Sequence, residues 1–156
     1  MSKQSDARIG LRDAAEAAAA FGAAAGAVDD AAAAAFGVNR TDLRMIGILQ
    51  RSGALTAGQL AIECGLSPAA TSTAIQRLVH GGHATRAIDS ADRRRAVVAL
   101  TASAAARLEA IYGPVAAAGM RQLAEYDDTE LALLTDFLRR GEVLQGAQAD
   151  QIRRMQ

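Results

Sequence analysis

Two capped helical segments, separated by a turn of only three residues, constrain the fold of this chain more than any other feature. Thr56 and Gln59 have the spacing of a capping box and predict the start of a short helix, which Gly65 ends. Ser67 supplies an N-cap and Pro68 a first helical residue for the second segment, which extends to about residue 79. Two short helices joined in this way are typical of a helix-turn-helix, whose second helix can enter the major groove of DNA.

The second segment has one apolar face and one polar face. Thr71, Ile75 and Leu78 recur at helical spacing and, with Ala74 beside them, are expected to pack inward. The opposite face carries polar side chains that can hydrogen-bond to bases or phosphates: Ser72, Thr73, Gln76 and Arg77. Glutamine suits adenine, arginine suits guanine or phosphate, and hydroxyl groups suit either. This face is therefore a candidate for reading DNA, with an ordinary solvated helix face as the alternative.

A basic hairpin is predicted directly after this helix. Residues 84–88 and 95–100 tolerate β-structure and flank a polar turn that contains Arg93 and Arg94. Residues 31–101 hold eight arginines and four carboxylates, a net charge of +4, whereas the flanking segments together carry −4. A helix-turn-helix followed by a hairpin describes a winged helix-turn-helix, and the basic charge is concentrated where nucleic acid would bind.

Further helices are predicted on both sides of this motif. Residues 9–28 are mostly alanine, the residue with the highest helix propensity, and an apolar stripe over residues 43–49 predicts a helix that starts at Thr41 or Asp42. Thr101 begins a helix through about residue 124, and the pair Asp127 and Glu130 caps another. Because aromatic residues make up only 3% of the chain, the core must come from Ala, Leu, Ile and Val. The predicted fold class is mainly α with a small β-hairpin wing, a winged helix-turn-helix flanked by N- and C-terminal helices.

Other functional classes find little support in the residues. The single cysteine, Cys64, cannot form an internal disulfide, which fits a reducing compartment, and it falls on the inward side of its helix. His80 and His83 lie three residues apart without further ligands, so neither a metal nor another cofactor is expected. We recognise no phosphate-binding loop, nucleophile motif or paired catalytic carboxylates, and the chain is not expected to be an enzyme. No signal peptide and no membrane-length apolar run outside alanine-rich sequence are recognised, which predicts a cytoplasmic protein.

Several stretches of the central part match a known family in one unbroken register. Residues 55–61 (LTAGQLA) correspond to the first helix of its motif, and residues 66–78 (LSPAATSTAIQRL) to its recognition helix. The match continues through Gly82, Arg86, Asp89, Asp92-Arg93-Arg94 and Leu100-Thr101. On these residues, about residues 36–108 of the chain resemble the MarR family of transcriptional regulators. One departure is His83, which stands where the family usually has an apolar residue.

The resemblance implies a DNA-binding site with contributions from the helix and the wing. It implies that Arg94 enters the minor groove, where a narrow width concentrates negative potential, and that Asp92 orients it through a salt bridge. Arg86, at the base of the wing, is expected either to reach a phosphate or to support the hairpin. The complete set of predicted DNA-binding residues is Ser67, Ser72, Thr73, Gln76, Arg77, Arg86, Asp92, Arg93 and Arg94.

The resemblance also implies a homodimeric regulator, most simply a repressor, on a palindromic operator. A single recognition helix buries too little surface for operator affinity, whereas two helices related by two-fold symmetry can reach two half-sites. The predicted organisation is a disordered tail (1–8), an N-terminal dimerisation helix (9–36), the DNA-binding domain (37–101), C-terminal dimerisation helices (102–146) and a second tail (147–156). The alternative is a winged-helix protein–protein interaction module without DNA binding, supported by the neutral net charge and by Ala69 and Ala70.

Family members often respond to small aromatic or phenolic ligands, and the resemblance implies a comparable effector for this chain. The residues expected to line its site are Phe21, Phe36, Met45 and Tyr112. Such a ligand releases DNA only when it binds the two arrangements of the DNA-binding lobes with different affinity.

Overall fold

The computed structural model describes the backbone of residues 2–88 and 96–155 and the side chains of residues 10–88 and 96–155. Its elements follow in the order α1 (Ser2–Phe36), α2 (Arg40–Ser52), β1 (Leu55–Thr56), α3 (Ala57–Cys64), α4 (Pro68–His80), β2 (Ala84–Ile88), β3 (Ala96–Leu100), α5 (Ala102–Leu123) and α6 (Asp128–Arg154). The chain divides into two compact units, Met1–Glu109 and Ala110–Gln156. The predicted fold class, mainly helical with a small β wing, is confirmed.

Alanine makes α1 long but gives it little apolar surface to bury. The helix begins at Ser2, whereas we expected residues 1–8 to be a disordered tail. Each residue added to an existing helix gains a hydrogen bond without a new nucleation step, so the polar residues ahead of residue 9 join it readily. The described side chains of α1 that are buried lie at its C-terminal end: Ala32, Ala33 and Phe36.

The core of the first unit is organised around α2. The Asn39 side chain accepts a hydrogen bond from the Asp42 amide at 2.8 Å, so the helix begins at Arg40, slightly before the predicted start. Its buried apolar side chains are Leu43, Met45, Ile46, Ile48 and Leu49. The end of α1, the helices α3 and α4 and the strand β3 all pack against α2.

The two helices of the motif begin and end where their capping residues predict. The Thr56 hydroxyl accepts from the Gln59 amide at 3.3 Å, and the Gln59 side chain accepts from the Thr56 amide at 2.9 Å, which completes the capping box. Gly65 ends α3 in the left-handed conformation, at φ 64°, which a residue with a Cβ adopts at a cost. The Ser67 hydroxyl then accepts from a first-turn amide of α4 at 3.2 Å.

The wing is anchored by a three-stranded antiparallel sheet in the order β1-β3-β2. The central strand β3 pairs Val98 with Leu55 on one side and with Arg86 on the other, and Val98 is buried. The predicted strands at 84–88 and 95–100 agree with β2 and β3. The turn between them, together with Arg95, lies outside the described residues.

The second unit contains the end of α5 and the whole of α6. The Asp127 carboxylate accepts from the Glu130 amide at 2.9 Å, and the Glu130 carboxylate accepts from the Asp127 amide at 3.0 Å, so the predicted capping box is present. The helix continues to Arg154, into the segment that we expected to be a tail from residue 147, because this segment consists mainly of good helix formers. None of the residues of α6 is buried in the single chain.

One helix of the described chain, Gly10–Phe36, is long and apolar enough to cross a membrane by length and composition. Alanine supplies most of this hydropathy, and core helices of water-soluble proteins reach the same values. The C-terminal end of the segment, at Ala32, Ala33 and Phe36, packs in the protein core.

Candidate nucleic-acid interface

The helix α4 has a buried face and an exposed face, as its sequence predicts. Thr71, Ala74, Ile75 and Leu78 are buried, and Leu78 has no exposed surface. Ser72, Thr73, Gln76 and Arg77 are all exposed. The inner face holds the helix on the core, so the outer face is available to a ligand as large as a DNA duplex.

The hydroxyl groups of α4 differ in how much of their hydrogen-bonding capacity is already used. Thr71 donates to the Ser67 carbonyl at 2.9 Å, which satisfies this hydroxyl inside the core. Thr73 donates to the Ala69 carbonyl at 3.0 Å, so its methyl group and an oxygen lone pair remain for a partner. The Ser67 hydroxyl accepts a backbone amide and keeps its own proton for another acceptor.

Arg77 forms a bidentate ion pair with Asp42 of α2. Its Nε and Nη2 atoms donate to the two carboxylate oxygens at 2.8 Å and 2.6 Å, and the Asn39 amide donates to the same carboxylate at 3.2 Å. The Asp42 side chain is only 3% exposed, whereas that of Arg77 is 47% exposed. The hydrogen bond to Asp42 is the main reason why the pKa of Arg77 is raised, against a smaller opposing effect of burial. The pair ties α4 to α2 across 35 residues of sequence.

Asp42 was not among the residues that we predicted from the sequence. The sequence nevertheless gave one indication that Asp42 has a partner, because this carboxylate lies directly beside the apolar stripe that begins at Leu43. A charged residue on the edge of a buried stripe requires a partner. Its spacing in sequence cannot show that this partner is Arg77.

Gln76 and Arg86 are exposed and keep their polar groups available on the part of the chain that the structure describes. The Gln76 side chain is exposed, and its amide makes no hydrogen bond to another described residue. Arg86 lies on β2, opposite Val98, and takes part in no ion pair within residues 10–88 and 96–155. The predicted wing residues Asp92, Arg93 and Arg94 lie outside the described residues.

The junction between α4 and the wing is fixed by backbone hydrogen bonds. Gly82 has a φ of 72°, which turns the chain sharply after the helix, and the His83 amide donates to the Leu78 carbonyl at 2.9 Å. Thr101, after β3, donates from its amide to the His83 carbonyl at 3.0 Å and from its hydroxyl to the Gly82 carbonyl at 2.9 Å. The base of the wing therefore has a defined position relative to α4.

The predicted ligand-binding residues lie in different environments. Phe36 and Met45 are core residues, 4% and 0% exposed, whereas Phe21 is 71% exposed. Tyr112 is half-buried and belongs to the second unit. The Phe36 ring meets the His83 ring edge to face, with centroids 5.4 Å apart, and the Arg107 guanidinium lies 5.2 Å above the Phe36 centroid. Phe36 is thus enclosed by protein side chains.

Cys64 is buried beside Leu60, as expected from its place on α3. Burial raises the pKa of its thiol, Arg44 lowers the pKa by a smaller amount, and Glu63 raises it further. No group of three or more potential metal ligands occurs among the described side chains.

Comparison of the sequence with known proteins identifies one family. The sequence profile described as the MarR family matches residues 36–95. YcgE of Bacillus subtilis strain 168, an uncharacterised HTH-type transcriptional regulator, is 33% identical over 108 residues, which are 69% of this chain and 70% of YcgE.

Solved structures of related proteins share the fold. Wild-type apo MarR from E. coli has a TM-score of 0.54 at 19% identity and covers 72% of this chain and 84% of its own. NadR, crystallised in complex with 4-hydroxyphenylacetate, has a TM-score of 0.56 at 24% identity and covers 90% of this chain and 94% of its own. At these identities the similarity shows a common fold.

Proposed function

Because the chain belongs to the MarR family of transcriptional regulators, we propose that it is a sequence-specific DNA-binding repressor that acts as a homodimer. The observation that carries the proposal is the two-sided character of α4, whose inner face is built into the core while its outer face presents polar side chains. A helix held in this way can enter the major groove and contact base edges. The hairpin that follows it then reaches the adjacent minor groove.

We assign the DNA contacts to both elements. In α4, Ser72, Thr73 and Gln76 face the bases, and Ser67 meets a phosphate at the helix N-terminus, where backbone amides and the helix dipole favour anions. Arg86 neutralises a phosphate from the base of the wing, since its guanidinium is exposed and pairs with no carboxylate among the described residues. From the sequence alone, we assign Arg93 and Arg94 to the minor groove, with Asp92 orienting Arg94.

The dimer is supported by the apolar surface that a single chain leaves exposed. On α6, Leu133, Phe137 and Leu144 recur on one side of the helix and are 70%, 57% and 63% exposed. On α1, Leu11 and Phe21 are also mostly exposed. A second copy of the chain is the occupant that we propose for these surfaces. A two-fold dimer places two α4 helices on the half-sites of a palindromic operator.

We further propose that a small aromatic acid or phenol controls DNA binding. The support is the family relationship, in which NadR has been crystallised with 4-hydroxyphenylacetate. Phe36 and Met45 are enclosed in the core of this chain, so a ligand that reaches them must favour a conformation that opens this region. Phe21 is accessible without such a change.

We place the protein in the cytoplasm, where the chromosome is accessible, and assign it no catalytic activity. Family membership as a transcriptional regulator supports both assignments. The single buried cysteine is compatible with a reducing compartment.

A fluorescence-anisotropy titration tests the proposal. The DNA is a duplex from the region upstream of the gene that encodes the protein, and a scrambled duplex of equal length is the comparison. We expect at least about a thousandfold tighter binding to the upstream duplex, and an affinity for DNA that falls steeply between about 50 and 200 mM salt. Specific affinity in the nanomolar range at physiological salt is the expected scale.

Two arginine variants sharpen this test. Arg86→Ala removes one proposed phosphate contact from each protomer, and each such removal is expected to reduce the slope of log affinity against log salt by about 1. Arg139→Ala, which removes an exposed arginine from the side of α6 opposite its apolar stripe, is the matched control and is expected to leave the slope unchanged. Failure of the wild-type dimer to bind any duplex contradicts the proposal and favours the protein–protein interaction module.

A further inference from the structure

We propose that Gln76 reads an adenine in each operator half-site, and that Arg77 is a positioning residue that contacts no base. The inference rests on the proposed function, since it assumes that the outer face of α4 enters the major groove. It differs from the expectation drawn from sequence, in which Gln76 and Arg77 were equivalent candidates for reading bases.

The outer face of α4 carries a single stripe of side chains. Ala69, Thr73, Gln76 and His80 follow one another at spacings of four, three and four residues, so they form a single stripe along α4. This stripe lies directly opposite the buried stripe that contains Ile75 and Leu78. Ala69 and Thr73 are short, and His80 is the last residue of α4. Gln76 is therefore the long side chain best placed to reach the edges of bases.

Asp42 holds the guanidinium of Arg77 beside α2 and uses two of its five N–H groups. Bidentate reading of guanine uses two guanidinium N–H groups on its O6 and N7 atoms. In Arg77, Nε and Nη2 donate to Asp42, at 2.8 Å and 2.6 Å, and Arg77 lies about 100° around α4 from Gln76, to the side of the outer stripe. To reach the base edges that Gln76 faces, the guanidinium would have to leave Asp42, whose nearly inaccessible carboxylate would then lack its cation, which is strongly unfavourable in a buried site.

The Gln76 amide and the major-groove edge of adenine are chemically complementary. The Gln76 side chain offers one donor group and one acceptor and makes no hydrogen bond on the described part of the chain. Adenine presents an acceptor at N7 and a donor at N6 in the major groove, so a glutamine amide satisfies both. Guanine presents two acceptors there, which leaves the glutamine carbonyl without a donor. Discrimination of about 5- to 150-fold against other bases is the usual scale for such a pair.

The test is a selection of duplexes from a random library by the full-length protein, with affinities of the enriched sequences measured afterwards. The wild type is expected to enrich a two-fold symmetric motif with an invariant adenine in each half. Gln76→Ala is expected to reduce the preference for that adenine by about 5- to 150-fold and to keep the remaining positions. Gln76→Arg is expected to exchange the adenine for guanine at the same position.

Arg77→Gln is the companion variant, and its thermal unfolding is measured beside DNA binding. A positioning role predicts lower thermal stability and weaker binding to all sequences, with unchanged base preferences and an unchanged salt slope. Loss of a base preference, or a salt slope reduced by about 1 for each protomer, assigns Arg77 to a base or a phosphate and overturns its positioning role. Gln76 is exposed, so its variants retain the fold and decide the adenine assignment whether or not Arg77→Gln folds.

The outcomes separate this inference from the function on which it rests. A motif that the wild type and Gln76→Ala enrich with the same preference at every position overturns the reading role of Gln76 and leaves the DNA-binding function intact. A wild-type protein that enriches no motif overturns both.

Discussion

Phe36 provides a direct measure of how strongly the end of α1 is bound to the winged domain. Its side chain is 4% exposed and contacts the His83 ring and the Arg107 guanidinium, and Arg107 also donates a hydrogen bond to the Ala35 carbonyl at the end of α1. Truncation to alanine removes this burial and leaves a cavity, which costs about 3–5 kcal/mol of unfolding free energy. Phe36→Leu keeps most of the apolar volume and removes the two ring interactions, worth about 1–2.5 kcal/mol together.

The assays are urea and thermal unfolding followed by circular dichroism, at one fixed protein concentration because dimer formation also contributes to stability. At about 2–4 °C for each kcal/mol, Phe36→Ala is expected to lower the Tm by roughly 6–20 °C. Ile62→Ala is the control, since Ile62 is 81% exposed in the single chain and lies outside the surfaces proposed for the dimer. A change below about 1 kcal/mol for Phe36→Ala, or an equal effect of both variants, refutes the assignment of Phe36 to the core.

Three further predictions concern other parts of the chain. Thr56→Ala removes the capping box of α3 and is expected to lower the free energy of urea unfolding by about 1 kcal/mol. The control Thr73→Ala, at an exposed position, is expected to change it by less than about 0.5 kcal/mol, and equal effects of the two variants exclude a capping role for Thr56. Burial raises the pKa of the Cys64 thiol above its value in the unfolded chain. The buried, protonated thiol therefore contributes fully to the free energy of unfolding below about pH 8.5, and this contribution declines at higher pH because the unfolded chain loses the proton first. Alkylation of Cys64 just below that pH is accordingly expected to be slow in the native protein and fast in urea, and similar rates contradict its burial. Phe137→Glu is expected to convert the dimer to monomer in sedimentation equilibrium, and the control Arg139→Glu is expected to leave the dimer intact. If both variants remain dimeric, the apolar stripe of α6 is not the dimer interface.

The helix-turn-helix could be predicted from the sequence because its helix caps and its buried face depend on residues close together in the chain. Capping residues such as Thr56, Ser67 and Asp127 satisfy amides within the next turn, so their spacing alone locates the starts of α3, α4 and α6. The outward face of α4 follows in the same way from helical periodicity, and it agrees with the burial of Ile75 and Leu78.

The interactions that the sequence did not predict join distant residues. Nothing in the local pattern of Arg77 indicates a carboxylate 35 residues earlier, and its expected role in DNA binding came from its exposed helical position and the chemistry of arginine. The pairing of Phe36 with His83 likewise depends on packing between α1 and the wing junction. His83 stands where an apolar residue was expected, and its ring meets that of Phe36 edge to face. The lengths of α1 and α6 were underestimated because polar residues mark helix ends less clearly than glycine or proline.

The register of β3 has a consequence for how such proteins diversify. This strand is held by β1 through Leu55 and Val98, independently of its pairing with β2. A change in the length or composition of residues 89–95 therefore need not propagate into the sheet or into α4. Segments of different charge between β2 and β3 are therefore expected to alter the proposed DNA binding without changing the scaffold.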